Sequence, residues 1–508
     1  MMNTRMVVVR NDSWLLRHGE VFFAMAISLC LTLIYLLSAE VVGLPYDDSY
    51  ISLNFARNLA DYGFLTFNGE TASAGATSLL HVAILAVPIK LGGEPVITSL
   101  ALGISCQMAL VAVVYFLAWS LFRDRWISFL AAVSIGIMGY LVLDALNGME
   151  TTLFLLMTTA AAAAFFSAKS WRGYLMAGIF VALSVLTRPE GVLFLAAMAL
   201  YYVITLVGPI LRMSSEDLRG LAMIVLPSVL IFVGLTFYYW TTTGTITPGT
   251  ATAKLFFFRE FEWSFLDRYD VALGGVMNFV APVLPWLVLG GVAMRRREVI
   301  LFVFFWMAFL IMYCVLFPGG IWHYWYRYQH LFLPSLAVFG AAGLVYLARG
   351  RTWTMLEIIF GLAVGLFLVG MIAFQYEIFR NRYVHEISLI EDAQVGIAEF
   401  LRDEIPPDAT IATHDIGAIG YISQRNVIDL VGLVNPKVVD FHEGRQLREY
   451  VDNVQPGYIV VFDSWENLFL RIGFASNPEL FEPVRVFAGD FPGGEADRFT
   501  VYRTHYVP

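Results

Sequence analysis

Apolar runs separated by short polar stretches fill the chain from about residue 20 to residue 374. They lie near 20–42, 76–92, 96–121, 126–144, 151–168, 173–187, 191–207, 221–240, 273–293, 299–317, 329–348 and 354–374. A helix crossing a bilayer needs about 20 apolar residues, so these twelve runs read as spanning helices, several shortened or interrupted by Pro or Gly. Between the first two runs, Ile51, Phe55, Leu59 and Tyr62 recur at helical spacing, with Arg57, Asn58 and Asp61 on other faces. That pattern predicts an amphipathic helix lying at the interface. After Tyr376 a helical pattern at 386–404 gives way to short apolar runs: Thr410-Ile-Ala-Thr-His, Val427-Ile-Asp-Leu and Tyr458-Ile-Val-Val-Phe-Asp. Alternating with helical stretches such as Arg448 to Val454, they predict a small, mostly parallel α/β domain. The expected organisation is a polytopic bundle over 1–375, with a first external loop at 44–76, and a soluble extracytoplasmic domain over 376–508.

Composition agrees with this pattern. The 508 residues are 58% apolar and 14% charged, and the mean hydropathy is +0.69. A net charge of −9 with no basic stripe in a soluble segment excludes a nucleic-acid partner. Cys30, Cys106 and Cys314 all lie in apolar runs and read as buried thiols, with no disulfide framework. The first run, preceded by Arg5, Arg10 and Arg17, is too long for a signal-peptide core and leads into Pro45, so it reads as a retained helix.

Basic residues mark orientation. Arg123 and Arg125, Lys169 and Arg172, Arg295 to Arg297, and Arg349 with Arg351 sit in short loops, which places those loops and the N-terminus in the cytoplasm. The first loop and residues 375–508 then lie outside a plasma (inner) membrane. Opposite termini require an odd number of crossings, so twelve runs imply one missed crossing, expected between residues 76 and 190.

Polar groups cluster in the external loops. Asp47 and Asp48 stand side by side in Leu-Pro-Tyr-Asp-Asp-Ser-Tyr, just after the first span. Acids at a membrane boundary are costly to keep ionised and mark a site, although Asp48 with Ser49 also suits a helix cap. Asn147-Gly-Met-Glu150 offers an acid, or a capping box for the next helix. Thr187-Arg188-Pro-Glu190 offers a cation in an external loop, whose anionic partner is a lipid phosphate or Glu190 itself. The segment from Pro318 to Tyr328 carries His323, Tyr324, Trp325, Tyr326, Arg327 and Tyr328. Aromatics belong at interfaces, but Arg327 breaks the positive-inside pattern; with Lys254 and His323 it is a candidate ligand for a phosphate. His81 falls in the second run, as a polar contact between helices or facing a cavity beneath Asp48. His414 and Asp415 end a predicted strand; the simpler reading makes Asp415 the cap of the next helix.

These residues carry a resemblance. Asp47-Asp48-Ser-Tyr-Ile-Ser with Phe55-Ala-Arg-Asn, Phe67-Asn-Gly-Glu before Ala74-Gly-Ala-Thr-Ser, Asn147-Gly-Met-Glu-Thr, Thr187-Arg-Pro-Glu-Gly and His414-Asp-Ile-Gly-Ala-Ile-Gly-Tyr421 resemble the GT-C superfamily. This superfamily contains the glycosyltransferases that use polyprenyl-phosphate sugars; its members include protein O-mannosyltransferases, aminoarabinose transferases and arabinofuranosyltransferases. The resemblance implies a bundle of about 11 to 13 spans with an acidic first external loop. It also implies inverting transfer of a sugar from a polyprenyl-phosphate donor to a cell-envelope glycan, lipid or protein acceptor. Asp47 or Asp48 would be the general base. Arg188, Arg327, Lys254 and His323 would meet the donor phosphate, and Tyr50, Arg57, His81, Glu150, Glu190 and Tyr328 would line the substrate pocket. Some relatives use a divalent cation, which Asp47 and Asp48 would hold here. The rival readings are a polytopic transporter or lipid flippase with an external binding domain, and a non-catalytic sensor.

Overall fold

A computed structural model describes residues 19–207, 213–244, 250, 253, 264–293, 296–316, 318–349, 355–435, 437–490 and 496–506. The longer helices run α1 Gly19–Leu36, α2 Asp47–Tyr62, α3 Leu79–Lys90, α4 Pro95–Phe122, α5 Arg125–Ile137, α6 Gly139–Leu146, α7 Thr151–Ser167, α8 Trp171–Thr187, α9 Gly191–Tyr201, α10 Ser215–Thr243, α11 Phe265–Ala293, α12 Val299–Leu316, α13 Leu333–Ala348 and α14 Met355–Leu389. Among the described residues six helices are long and apolar enough to cross a membrane, and the pair α5–α6, bent by 58° at Met138, makes a seventh. The chain is a multi-pass membrane protein.

Two ends of the bundle are defined by polar contacts. At one, Arg125 pairs with Glu20, Arg349 pairs with Asp124, and Arg296 donates to the Leu121 carbonyl at 2.6 Å. At the other, Ser99 donates to the Gly148 carbonyl at 3.3 Å, Tyr313 to Glu190 at 2.6 Å and Tyr35 to the Tyr376 carbonyl at 3.1 Å. The second end carries everything described below as the site.

Helix α3 corrects the count of crossings. It has 12 residues, about 18 Å of rise, against roughly 30 Å of hydrocarbon. Its start borders the site, and at its end Lys90 donates to the carbonyl of Ala60 in α2. Helix α4 begins after a link of four residues, still at the site end, where Ser99 meets Gly148. So α3 lies beside α2 at the surface of the bundle and does not cross. The second apolar run thus drops out of the expected crossings, and no additional one appears between residues 76 and 190 among the described residues.

Helix α2 forms where the amphipathic pattern predicts, burying Leu53, Phe55, Ala56 and Ala60. It starts without a side-chain cap, so neither Asp48 nor Ser49 is spent on capping. Ser49 instead donates to the Asn147 carbonyl at 2.5 Å.

Helix α14 runs through residue 376, where the composition changes, and leads by a π-turn over Ile390–Val395 into α15 Gly396–Glu404. There follow β1 Thr410–Thr413, α16 Gly417–Ser423, β2 Asn426–Asp429, α17 Val438–Glu443, α18 Leu447–Val454, β3 Tyr458–Phe462, β4 Phe481–Asp490 and β5 Ala496–Thr504. The sheet order is β2-β1-β3-β5-β4. Strand β1 is parallel to β2 and β3, while β5 is antiparallel to β3 and β4. The sheet is therefore mixed, not mostly parallel. The β4–β5 hairpin was hidden because β4 carries Pro483 and a register shift between Pro483 and Arg485. The edge strand β2 is covered by the first loop: Asn68 donates to the Val427 carbonyl at 2.9 Å and accepts from its N–H at 3.1 Å. The cysteines are free, and Cys30 is exposed on the outer surface of α1, contrary to the buried thiol expected.

Candidate functional site

Asp47 and Asp48 are neighbours in sequence with opposite surroundings. The first turn of α2 points them to different sides. Asp47 is buried, and its two carboxylate oxygens accept from the N–H groups of Gly417 (2.9 Å) and Ala418 (2.8 Å) at the start of α16. Asp47, and not Asp415, therefore caps that helix. Burial pushes the Asp47 carboxyl up to about 6; the two amide bonds pull the other way, and the Asp48 charge adds to the rise. A methyl group on Gly417 would meet the Asp47 carbonyl well inside contact distance and its carboxyl carbon at 2.7 Å. Gly417→Ala should therefore destabilise the protein by about 2 kcal/mol through overpacking, read as a lowered melting temperature in detergent.

Asp48 faces the other way, onto the wall of a cavity of about 480 Å³. One end of this cavity is charged, with Asp48, Glu150, Arg188, Glu190, Arg327, Tyr313 and Tyr328 on its wall. The remaining wall is mainly apolar and includes Val192, Leu193, Met312 and Leu316. Val192 (42% exposed) and Leu316 (50%) carry it to the outer surface of the bundle between α9 and α12.

Arg327 is the central cation. It is 4% exposed. Its guanidinium lies 3.4 Å from the Asp48 carboxylate, donates to the Tyr328 hydroxyl at 3.1 Å and meets the Met149 sulfur at 2.8 Å. Thioether sulfur is a weak acceptor, and the Arg327 Nε–H has no partner among the described residues. This guanidinium thus retains donor capacity towards an anion. Its position is set by an unusual backbone. Tyr324, Trp325 and Tyr326 adopt φ values of 41°, 58° and 65°. Each left-handed residue costs about 1–3 kcal/mol and persists only where its surroundings hold it. Here Tyr324 stacks on Tyr46 at 4.2 Å, Arg382 covers Trp325 at 4.5 Å, and the Trp325 carbonyl meets His330 Nε2 at 2.9 Å. His330 Nδ1 is fixed in turn by Asp144 at 2.6 Å.

Arg188 stands beside Arg327, stacked on Tyr328 at 4.5 Å. It pairs with Glu190 at 2.8 Å and Glu150 at 3.7 Å. Burial alone would raise the Glu190 carboxyl, but the Arg188 charge and the bonds from Arg188 and Tyr313 bring it down to about 2. The expected Arg188–Glu190 pair is thus present, and Glu150 joins it. Glu150 does not form the capping box anticipated: its side chain caps nothing, and Asn147 instead accepts from the Met149 N–H at 2.8 Å.

Several expected site residues lie elsewhere. Arg57 donates to the Tyr421 carbonyl at 2.7 Å, and Tyr50 packs against Tyr421 at 5.8 Å, so both hold the C-terminal domain rather than the cavity. His81 is buried in α3 behind the wall; burial lowers its pKa to about 4, with the Glu150 charge opposing. His323 meets Tyr324 edge-on, with ring centres 4.0 Å apart, off the wall. Lys254 lies outside the described residues. Tyr313, Met149 and Asp144 were missed. A lone Tyr late in an apolar run and an acid inside another were the available signals for Tyr313 and Asp144.

A divalent cation does not suit the expected pair. Asp47 spends both oxygens on amide donors, Asp48 faces a guanidinium, and no group of three metal-ligating side chains converges among the described residues.

The fold has counterparts among solved structures. A protein-family profile described as a domain of unknown function (DUF8728) matches residues 383–502. No curated protein sequence matches the chain. Among solved structures, ArnT from Cupriavidus metallidurans bound to undecaprenyl phosphate is similar at a TM-score of 0.57 and 13% identity, over 95% of this chain and 98% of that one. The archaeal oligosaccharyltransferase AglB from Archaeoglobus fulgidus, in complex with an inhibitory peptide and a dolichol-phosphate, aligns at 0.52 and 12%, over 98% and 75%. The arabinofuranosyltransferase AftD from Mycobacteria aligns at 0.52 and 14%, over 96% of this chain and 41% of that one. The fold is therefore the GT-C fold, as the sequence resemblance implied.

Proposed function

We propose that this chain is a glycosyltransferase that moves a sugar from a polyprenyl-phosphate donor to a hydroxyl-bearing cell-envelope acceptor, with inversion. The observation that carries this reading is the meeting of Asp48 and Arg327 at the charged end of a cavity whose apolar wall reaches the surface of the bundle. An isoprenoid carrier is confined to the membrane, so its transferase needs such a lateral opening and a cation at headgroup depth. The solved ArnT and AglB structures, which hold undecaprenyl phosphate and dolichol-phosphate, support the class of donor.

The chemistry follows from exchange of counterions. The donor phosphate takes the Arg327 guanidinium now shared with Asp48, while Arg188 adds a second positive charge. Asp48, released, accepts the proton of the acceptor hydroxyl as that oxygen attacks the anomeric carbon. The bond to phosphate breaks on the opposite face, and the phosphate charge is held by Arg327. Asp47 anchors α2 to the C-terminal domain and is not the base.

The loops at the far end carry Arg123, Arg125, Lys169, Arg172, Arg296, Arg297 and Arg349, which supports a cytoplasmic assignment for that end. The site and residues 376–508 then lie outside the plasma membrane, with 1–375 as the catalytic domain and the C-terminal domain facing the acceptor. The transporter reading has less support, because the cavity's charged groups gather at one end of the bundle. Mass spectrometry of lipid extracted from the purified chain tests the donor class. A bound polyprenyl phosphate or its glycosylated form is expected; bulk phospholipid alone would count against it.

A further inference from the structure

Resting on the transferase reading, one buried carboxylate off the cavity wall ties the base to the cation. All eight residues of α6 are buried, and Asp144 is its one charged side chain. An acid so deep in an apolar segment is costly to bury, and its contacts show what it serves. Its two oxygens reach different segments. Oδ2 meets His330 Nδ1 at 2.6 Å, and Oδ1 accepts from the Asn147 side-chain amide at 3.2 Å. We propose that Asp144 is a positioning residue of the transferase: through these two contacts it sets Arg327 and Asp48 at a fixed separation.

The first contact runs to the cation. His330 Nε2 faces the Trp325 carbonyl at 2.9 Å, and a carbonyl oxygen only accepts, so Nε2 carries a hydrogen. That bond holds the middle of the left-handed turn, two residues before Arg327. Tyr324, in the same turn, lies under the Arg327 guanidinium at 4.9 Å. Tyr140 and Phe279 enclose the His330 ring, with centres 4.8 and 6.1 Å away. The second contact runs to both sides. The Asn147 side-chain oxygen accepts from the Met149 N–H at 2.8 Å, and the Met149 sulfur touches the Arg327 guanidinium at 2.8 Å. The Asn147 carbonyl accepts from Ser49 Oγ at 2.5 Å, and Ser49 follows Asp48 in the first turn of α2. One carboxylate thus fixes the backbone that carries the cation and the backbone that carries the base. These two groups act on opposite faces of one anomeric carbon, where a misplacement of about 1 Å costs about 10²-fold in rate.

Asp144→Leu keeps an apolar group of similar size and removes both contacts. It should lower transfer in membranes about 10²-fold and weaken binding of added undecaprenyl phosphate about tenfold. Asp144→Asn keeps both contacts: its NH₂ donates to His330 Nδ1 while Nε2–H still reaches Trp325, and its oxygen accepts from Asn147. Transfer should then stay within about threefold of wild type. Asp144→Leu combined with His330→Phe replaces the buried pair by apolar groups, a change that often leaves stability intact. This double variant should regain the wild-type melting temperature but neither transfer nor donor affinity, whereas a merely structural role would restore all three together. Hydrogen–deuterium exchange of the purified full chain should rise over residues 323–332 in Asp144→Leu and in the double variant, and stay at the wild-type level in Asp144→Asn. The proposal is overturned if exchange there is unchanged in the double variant, if the double variant transfers at the wild-type rate, or if Asp144→Asn is as impaired as Asp144→Leu. Exchange and melting need no substrate, so they separate failure of this inference from failure of the transferase reading, which undecaprenyl phosphate binding to the wild-type chain reports by itself.

Discussion

Asp48→Asn is expected to lower sugar transfer about 10³-fold, the scale of a lost general base, while the protein folds and keeps its carrier lipid. The amide preserves the shape of the side chain at the cavity wall but cannot accept the acceptor's proton at neutral pH. It also leaves the Arg327 guanidinium without its carboxylate partner, which favours a phosphate there. Retained or tightened donor binding with lost turnover is therefore the expected signature, measured in membranes as transfer against carrier-lipid content. Asp47→Asn should give the opposite profile. An amide offers one acceptor oxygen to two N–H groups, so one amide of α16 is left facing an NH₂ group. An unsatisfied buried donor costs about 1–3 kcal/mol. The result should be a lower melting temperature and a loosened C-terminal domain, with residual turnover in the folded fraction. Equal catalytic loss at the two positions, with both variants fully stable, would remove the distinction drawn between them.

Arg327→Met should abolish measurable donor binding. The methionine fills much of the arginine's volume, so the left-handed turn over Tyr324 to Tyr326 keeps its packing. What is lost is the charge and the planar fork. Removing a preorganised group that stabilises developing charge costs about 10²–10³ in turnover. Arg327→Lys should rescue little, because an ammonium cannot span the Asp48, Tyr328 and phosphate directions at once. Transfer rates and undecaprenyl phosphate titration of the purified variants check this. A fully active methionine variant would move the phosphate site elsewhere, with Arg188 as the next cation on the wall.

Much of this site could be read along the chain because its members break local rules. Arg327 stands where basic residues are disfavoured, Asp47 and Asp48 stand at a membrane boundary, and Arg188 and Glu190 are two residues apart. What escaped notice depends on contacts between distant segments. Asp47 and Asp48 are chemically identical until the partner of Asp47, 370 residues away, is known. Asp415 reads as an ordinary helix cap until Asp47 is found in that place. Helix α3 is as apolar as a spanning segment, and only its length and its contact with Ala60 reveal that both its ends lie on one side. Tyr50 and Arg57 lie on the same helix as Asp48, but they look towards Tyr421, a choice made by the packing of the C-terminal domain.

The central claim is that Asp48 and the head of a membrane-embedded carrier occupy one chamber. A cryo-EM structure of the full chain with added undecaprenyl phosphate tests it most directly. The account predicts the phosphate within hydrogen-bond distance of Arg327, its isoprenoid tail leaving between α9 and α12, and the Asp48 carboxylate turned to the same space. A phosphate seated away from Arg327, or an Asp48 walled off from it, would contradict the account.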